Sequence, residues 1–144
     1  LRRQGIEVTE EVKDRYQRAV VKASETQVAK LIAGHSMAGF WEGTRNRSDY
    51  RVVQPLRKGI AHTAIAAAEE VPVVVLPVGF YYGQEPEDYA RPVPPDRHRP
   101  LVHVANPIEV ATTDPEELVG LVHPEIQRCV DLVVERAASP GKAA

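Results

Sequence analysis

The sequence predicts an α/β domain, a mixed and largely parallel sheet covered by helices. Two stretches space apolar residues at helical intervals, residues 9–33 and 57–68. Between them and a third helical region lies Val71-Pro72-Val73-Val74-Val75-Leu76-Pro77-Val78, a continuous valine-rich run. Such a run is how a strand buried on both faces of a helix-covered parallel sheet reads. Helix alternating with strand indicates a layered α/β architecture.

Taken in order, Thr9 followed by Glu10 and Glu11 marks a helix start, with acids at the positive end of the dipole. Val12, Tyr16, Ala19, Val20, Ala23, Val28 and Leu31 supply its apolar stripe to about Ala33, and Gly34 ends it. Ser36 to Phe40 is expected as a short buried strand, and Glu42–Gln54 as a polar loop. Arg57 to Ala68 reads as the second helix on Ile60, Ala61, Ala64, Ile65 and Ala68. The Val71–Val78 strand follows. Five prolines between Gly79 and Pro100 make that stretch an irregular excursion, and Leu101 to Val104 is a last short strand. Asp114-Pro115-Glu116-Glu117 combines an N-cap, a first-turn proline and acids. The helix it starts is restarted or kinked at Pro124 and runs to about Ala137. Residues 1–138 make one domain and 139–144 a flexible tail.

The chain has 144 residues, 43% hydrophobic and 26% charged, an ordinary globular composition with enough chain for one core. Its single cysteine, Cys129, excludes an intrachain disulfide. No run reaches the ~18 apolar residues of a membrane-spanning helix. The net charge of −2 hides an asymmetry: residues 1–60 hold 12 Lys+Arg against 7 Asp+Glu, and residues 61–144 hold 6 against 13. A basic half suits an anionic ligand or a lipid surface. Aromatics are not interleaved with the basic residues, which argues against nucleic acid.

The stretch richest in chemistry is Phe40-Trp41-Glu42-Gly43-Thr44-Arg45-Asn46-Arg47-Ser48. It sets a carboxylate, a glycine, a hydroxyl and two guanidiniums in one loop, with Arg51, Arg57 and Lys58 close behind. Arginine offers planar paired donors to phosphate oxygens, and glycine lets backbone approach a ligand closely. On composition alone a charged surface turn is the default. A competing motif, Gly34-His35-Ser36-Met37-Ala38, resembles the G-x-S-x-G turn of α/β-hydrolases and would make Ser36 a nucleophile. Asp88 or Asp96, and then His103 or His123, would complete that triad. The polar, turn-like residues after Gly39 do not match the helix that such a turn must enter.

The spacing around the loop resembles the glycerolipid acyltransferase family. Residues 40–48 resemble its F-P-E-G-T-R-S block, with Trp41 in place of proline. Leu31 and Gly34 match an L-x-x-G before that block, and Leu56-Arg57-Lys58-Gly59 with Ala64 matches a helix entry after it. Val71 to Val78 is similar to the family's V-P-[IV]-[VI]-P-V strand, with the second proline set further on. Asn106-Pro107-Ile108 resembles a G-x-P-I segment, and Leu1-Arg2-Arg3 the end of an earlier block finishing in [IL]-x-R.

The resemblance implies transfer of a fatty acyl group from acyl-CoA or acyl-carrier protein to lysophosphatidic acid, at the cytoplasmic face of a membrane. No metal or bound cofactor is implied. Arg3 and Arg45 would clamp the phosphate, with Arg57 beside them. Glu42 would orient the loop or the glycerol hydroxyls, Gly43 and Thr44 would shape the turn, and Pro72 would wall the site. The family's general base is a histidine five residues before an aspartate. Here the residues five after each histidine are Phe40, Ala67, His103, Ile108 and Arg128. The chain opens on Leu1, which reads as a start inside a longer protein, so the domain is expected to be incomplete at its N-terminus and the pair to lie upstream. Alternatives are a serine esterase using Ser36, acylation of glycerol 3-phosphate or another lysolipid, and a non-catalytic module.

Overall fold

A computed structural model describes residues 9–43, 49, 51–81 and 101–138. Helix α1 spans Glu10–Ile32, α2 Gly59–Ala68 and α3 Pro115–Ala138. Among the described residues four short strands lie between the second and third helices: β1 (Val74–Val75), β2 (Val78–Tyr81), β3 (Leu101–Val104) and β4 (Ile108–Glu109).

The helix ends follow local chemistry. The Thr9 hydroxyl accepts from Val12 N–H at 3.3 Å, satisfying one of the donors left open by the first turn. At the other end Gly34 takes φ +84°, a conformation that costs a Cβ-bearing residue. Its N–H donates to Leu31 O at 2.9 Å and His35 N–H donates to Lys30 O at 3.0 Å, the paired bonds of a glycine-terminated helix. Asp114 caps α3 through Oδ1, which accepts from Glu116 N–H at 2.8 Å. α3 runs unbroken past Pro124. The proline deprives only the Gly120 carbonyl of its partner, and Gly120 is exposed, so water can serve it.

The expected largely parallel sheet is not formed. Among the described residues the protein is mostly helical, with two small antiparallel sheets of two strands each, β1–β4 and β2–β3. Val74 faces Glu109 and Val75 faces Ile108, while Val78 faces Val104 and Tyr81 faces Leu101. These are two parts of one ribbon. Ala105 N–H donates to Pro77 O and Val110 N–H to Val73 O, both at 3.0 Å, carrying the pairing beyond the strands proper. Two residues (76–77) separate the parts on one arm and three (105–107) on the other, the one-residue mismatch of a bulge. Pro77 and Pro107 sit in this gap, where no ladder N–H is required of them.

The Val71–Val78 run is also not buried on both faces. Exposure alternates along it, with Val74, Leu76, Val78 and Phe80 outward and Val73, Val75, Pro77 and Gly79 inward. The inward face is covered by α3, whereas among the described residues the outward face meets Phe40 at Phe80. Val102 and Val104 lie beside Phe80 and Val78 in register, so the outward face is apolar. Ser36–Phe40, expected as a buried strand, pairs with no strand and is exposed except at half-buried Met37.

The core lies between α2 and α3. α3 buries Leu118, Val122, Cys129 and Val133, at steps that keep one face inward, each contributing on the order of 1.5–3 kcal/mol. Against Leu118 and Val122 α2 sets Ala61 and Ala64, small enough for a close approach, and Trp41 completes the cluster; Ala67 is buried on α2 as well. Thr63 is buried with its hydroxyl donating to Gly59 O at 3.2 Å. Gly79 is where β2 meets α3: a Cβ there would lie 2.7 Å from the Cys129 carbonyl carbon and 2.8 Å from Val130 N.

Candidate functional site

The site starts from Trp41. Its indole is buried against Ala61, Ala64, Leu118 and Val122, so the residue that replaces a proline in the resembled motif anchors the loop in the core. Phe40, just before it, stays exposed and meets Phe80 edge-on at 5.7 Å between centroids. The chain then turns sharply: Gly43 N–H donates to Phe40 O at 3.0 Å, and Gly43 takes φ +68°.

This turn is fastened to residues 54–57, which run past it. Arg57 N–H donates to Trp41 O at 2.7 Å. Arg57 Nε donates to Glu42 O at 3.3 Å, and Glu42 Oε2 accepts from Gln54 N–H at 2.8 Å. The Arg57 side chain lies on the open face of Gly43, where an added Cβ would come within 2.6 Å of its Cδ and Nε. Glu42, Gly43 and Arg57 are thus brought together. Glu42 spends one carboxylate oxygen on the backbone N–H of Gln54.

Further cationic groups flank this clasp. Arg51 donates to Asp49 through Nε at 3.0 Å and through its backbone N–H at 3.0 Å, and these bonds hold the Asp49 carboxyl below the ordinary aspartate range. Lys58 pairs with Glu116 at the start of α3. Arg57 and Lys58 are both exposed, so the cluster is a surface rather than a closed pocket. Two open clefts, about 300 and 390 Å3, lie beside Leu121 and contain none of the expected site residues.

Arg3, Thr44 and Arg45 lie outside the described residues, as do Asp88 and Asp96. Pro72 stands exposed between α2 and β1, away from the hydrogen bonds of the clasp. Ser36 is exposed on an irregular segment that follows a helix, and among the described residues the next helix begins at Gly59, so residues 34–38 lack the strand–turn–helix setting of a nucleophile turn. His62 is exposed on α2. Cys129 is fully buried, and burial pushes its thiol pKa up. Among the described residues no group of three His, Cys, Asp or Glu side chains could hold a metal ion, and no helix is long and apolar enough to cross a membrane.

Sequence reasoning missed Gln127 on α3 and considered His123 only for the serine triad; both touch the segment 51–53 from 70 or more positions away. Comparison with protein-family models, with curated proteins and with solved structures finds no match.

Proposed function

We propose that this chain supplies the phosphate-ester-binding part of an acyltransferase that moves a fatty acyl group from acyl-CoA or acyl-carrier protein to lysophosphatidic acid. The observation that carries the reading is the clasp of Glu42, Gly43 and Arg57. It lays a guanidinium over a glycine in the left-handed conformation, on an exposed surface. Guanidinium donors suit phosphate oxygens, and the glycine removes the side chain that would displace them. The reading rests on these residues and their order in the chain, not on the architecture, since the parallel sheet expected of it is not formed.

In the proposed reaction the acceptor's hydroxyl oxygen attacks the thioester carbonyl carbon. The ester C–O bond forms, the C–S bond breaks, and the thiol leaves with a proton. A general base must take the hydroxyl proton, and no histidine here precedes an aspartate by five positions. The role proposed for this chain is therefore to hold the acceptor at the cytoplasmic face of a membrane, while the base is supplied from outside these 144 residues.

The test is titration of the chain with lysophosphatidic acid and with its dephosphorylated counterpart, monoacylglycerol, together with a thiol-release assay using acyl-CoA. Binding that depends on the phosphate and is lost in Arg45→Ala and Arg57→Ala, without thiol release by the chain alone, is the expected result. Equal affinity for both lipids would remove the phosphate-ester assignment.

A further inference from the structure

Residues 51–54 form no regular secondary structure, yet side chains from two directions meet their backbone polar groups. Gln127 of α3 contributes most. Its Oε1 accepts from Val53 N–H at 2.8 Å, and its Nε2 donates to the Arg51 carbonyl at 2.7 Å. The same Nε2 donates to Asp131 Oδ1 at 2.8 Å, one turn further along α3, which holds the amide in place. His123, one turn earlier, sets Nε2 3.3 Å from the Val53 carbonyl. From the other side Glu42 accepts from Gln54 N–H. A single primary amide therefore pairs with the chain as a neighbouring strand would, donor to carbonyl and acceptor to N–H.

We infer that Gln127 is a positioning residue for the phosphate-ester site, an inference that rests on the clasp reading proposed above. Val53 is buried, and only three residues, one of them Pro55, separate it from Arg57. Proline limits the backbone freedom of that span, so the height at which Gln127 grips Arg51 and Val53 sets where Arg57 meets Gly43 and the Trp41 carbonyl. The need for both a donor and an acceptor on one planar group explains why an amide stands here. Glutamate would keep the acceptor for Val53 but repel the Arg51 carbonyl and the Asp131 carboxylate. Leucine would fill the space and offer neither.

The experiment uses the full chain, with sn-glycerol 3-phosphate as the probe. Its affinity is measured in the wild type, Gln127→Glu and Gln127→Leu, beside amide hydrogen exchange at Val53 and a thermal melt. The expected result is faster Val53 exchange in Gln127→Leu and a loss of affinity of about tenfold in both variants, as for one charged hydrogen bond taken out of register. Melting should shift by only a few degrees, because the affected segment is irregular and lies at the edge of the core. Affinity within twofold of wild type in both variants, with Val53 exchange accelerated, would show a clasp that does not position the site and would overturn the inference. Unchanged exchange in Gln127→Leu would overturn it too. If Gln127→Leu does not fold, full affinity in Gln127→Glu overturns it alone. A wild type that binds no glycerol 3-phosphate overturns the site reading itself, a result distinct from a variant that binds as well as wild type.

Discussion

Gly43→Ala is the sharpest single perturbation of the proposed site. The added methyl has two separable effects. First, Gly43 sits at φ +68°, and a Cβ in the left-handed region costs about 1–2 kcal/mol. For a chain of this size that lowers the melting temperature by roughly 2–8 °C. Second, the methyl would stand 2.6 Å from Arg57 Cδ and Nε, where carbon contacts settle near ~3.5–4.0 Å. The Arg57 side chain is flexible, so it moves by about 1 Å rather than straining the fold, and its bond to the Glu42 carbonyl at 3.3 Å is lost. If Arg57 holds phosphate, losing one charge-assisted hydrogen bond of about 1.5–3 kcal/mol weakens phosphate-ester binding roughly 10- to 100-fold. Gly34→Ala is the control: it shares a positive φ, +84°, but nothing lies within 4 Å of its added Cβ. It should lower stability by a similar amount and leave binding unchanged. Calorimetric titration with glycerol 3-phosphate, paired with thermal melts of both variants, separates the two effects. If Gly43→Ala binds within twofold of wild type, Arg57 over Gly43 is not what holds the phosphate, and the role proposed for this turn is refuted.

Two other glycines should respond to alanine with opposite signs. Gly79→Ala drives a methyl to 2.7 Å from the backbone of Cys129 and should cost about 1–3 kcal/mol as overpacking, whereas Gly120→Ala meets nothing within 4 Å and should stabilise α3 by up to about 1 kcal/mol; denaturant melts decide both. The buried Cys129 thiol, its pKa raised by desolvation, should resist a thiol reagent at about pH 8 in the native protein and react fully in denaturant. Native-state labelling as fast as denatured would contradict its packing against β2. Asp49 is held below its ordinary pKa by Arg51, so its contribution to stability is present above the unfolded-state value and is lost as pH falls through the lowered native one. The pair is exposed and salt-screened, so the readout is a carboxyl NMR titration, whose midpoint should rise in Arg51→Ala.

The parts of this protein that are legible in the sequence are those whose causes lie within a few residues. Thr9, Gly34 and Asp114-Pro115 bound their helices as expected, because a cap satisfies backbone groups of its own first or last turn. The stripe of α2 and the burial of Cys129 follow from helical spacing. The loop around Glu42 and Gly43 is marked by its composition, and Arg57 by its charge. What joins them is the fold of the intervening chain, with Trp41 sunk in the core beneath the turn.

Elsewhere the tertiary structure decided. A continuous apolar run such as Val71–Val78 reads alike whether both of its faces are covered or one, and it carries no statement of which partner it meets or in which direction. The return of residues 101–110 alongside it made the pairing antiparallel and, among the described residues, left the outward valines exposed. Ser36–Phe40 has strand-like apolar content but finds no neighbouring ladder, and without one its backbone stays irregular. Gln127 carries no local signal of its role, being one more polar residue on a helix until the fold lays Arg51 and Val53 across it. By itself the sequence determined where helices begin and end and which residues could serve an anionic ligand, since those depend on neighbours along the chain. Sheet direction, the covered face and the residues that hold the clasp depend on groups far apart in sequence, and only packing brings those together.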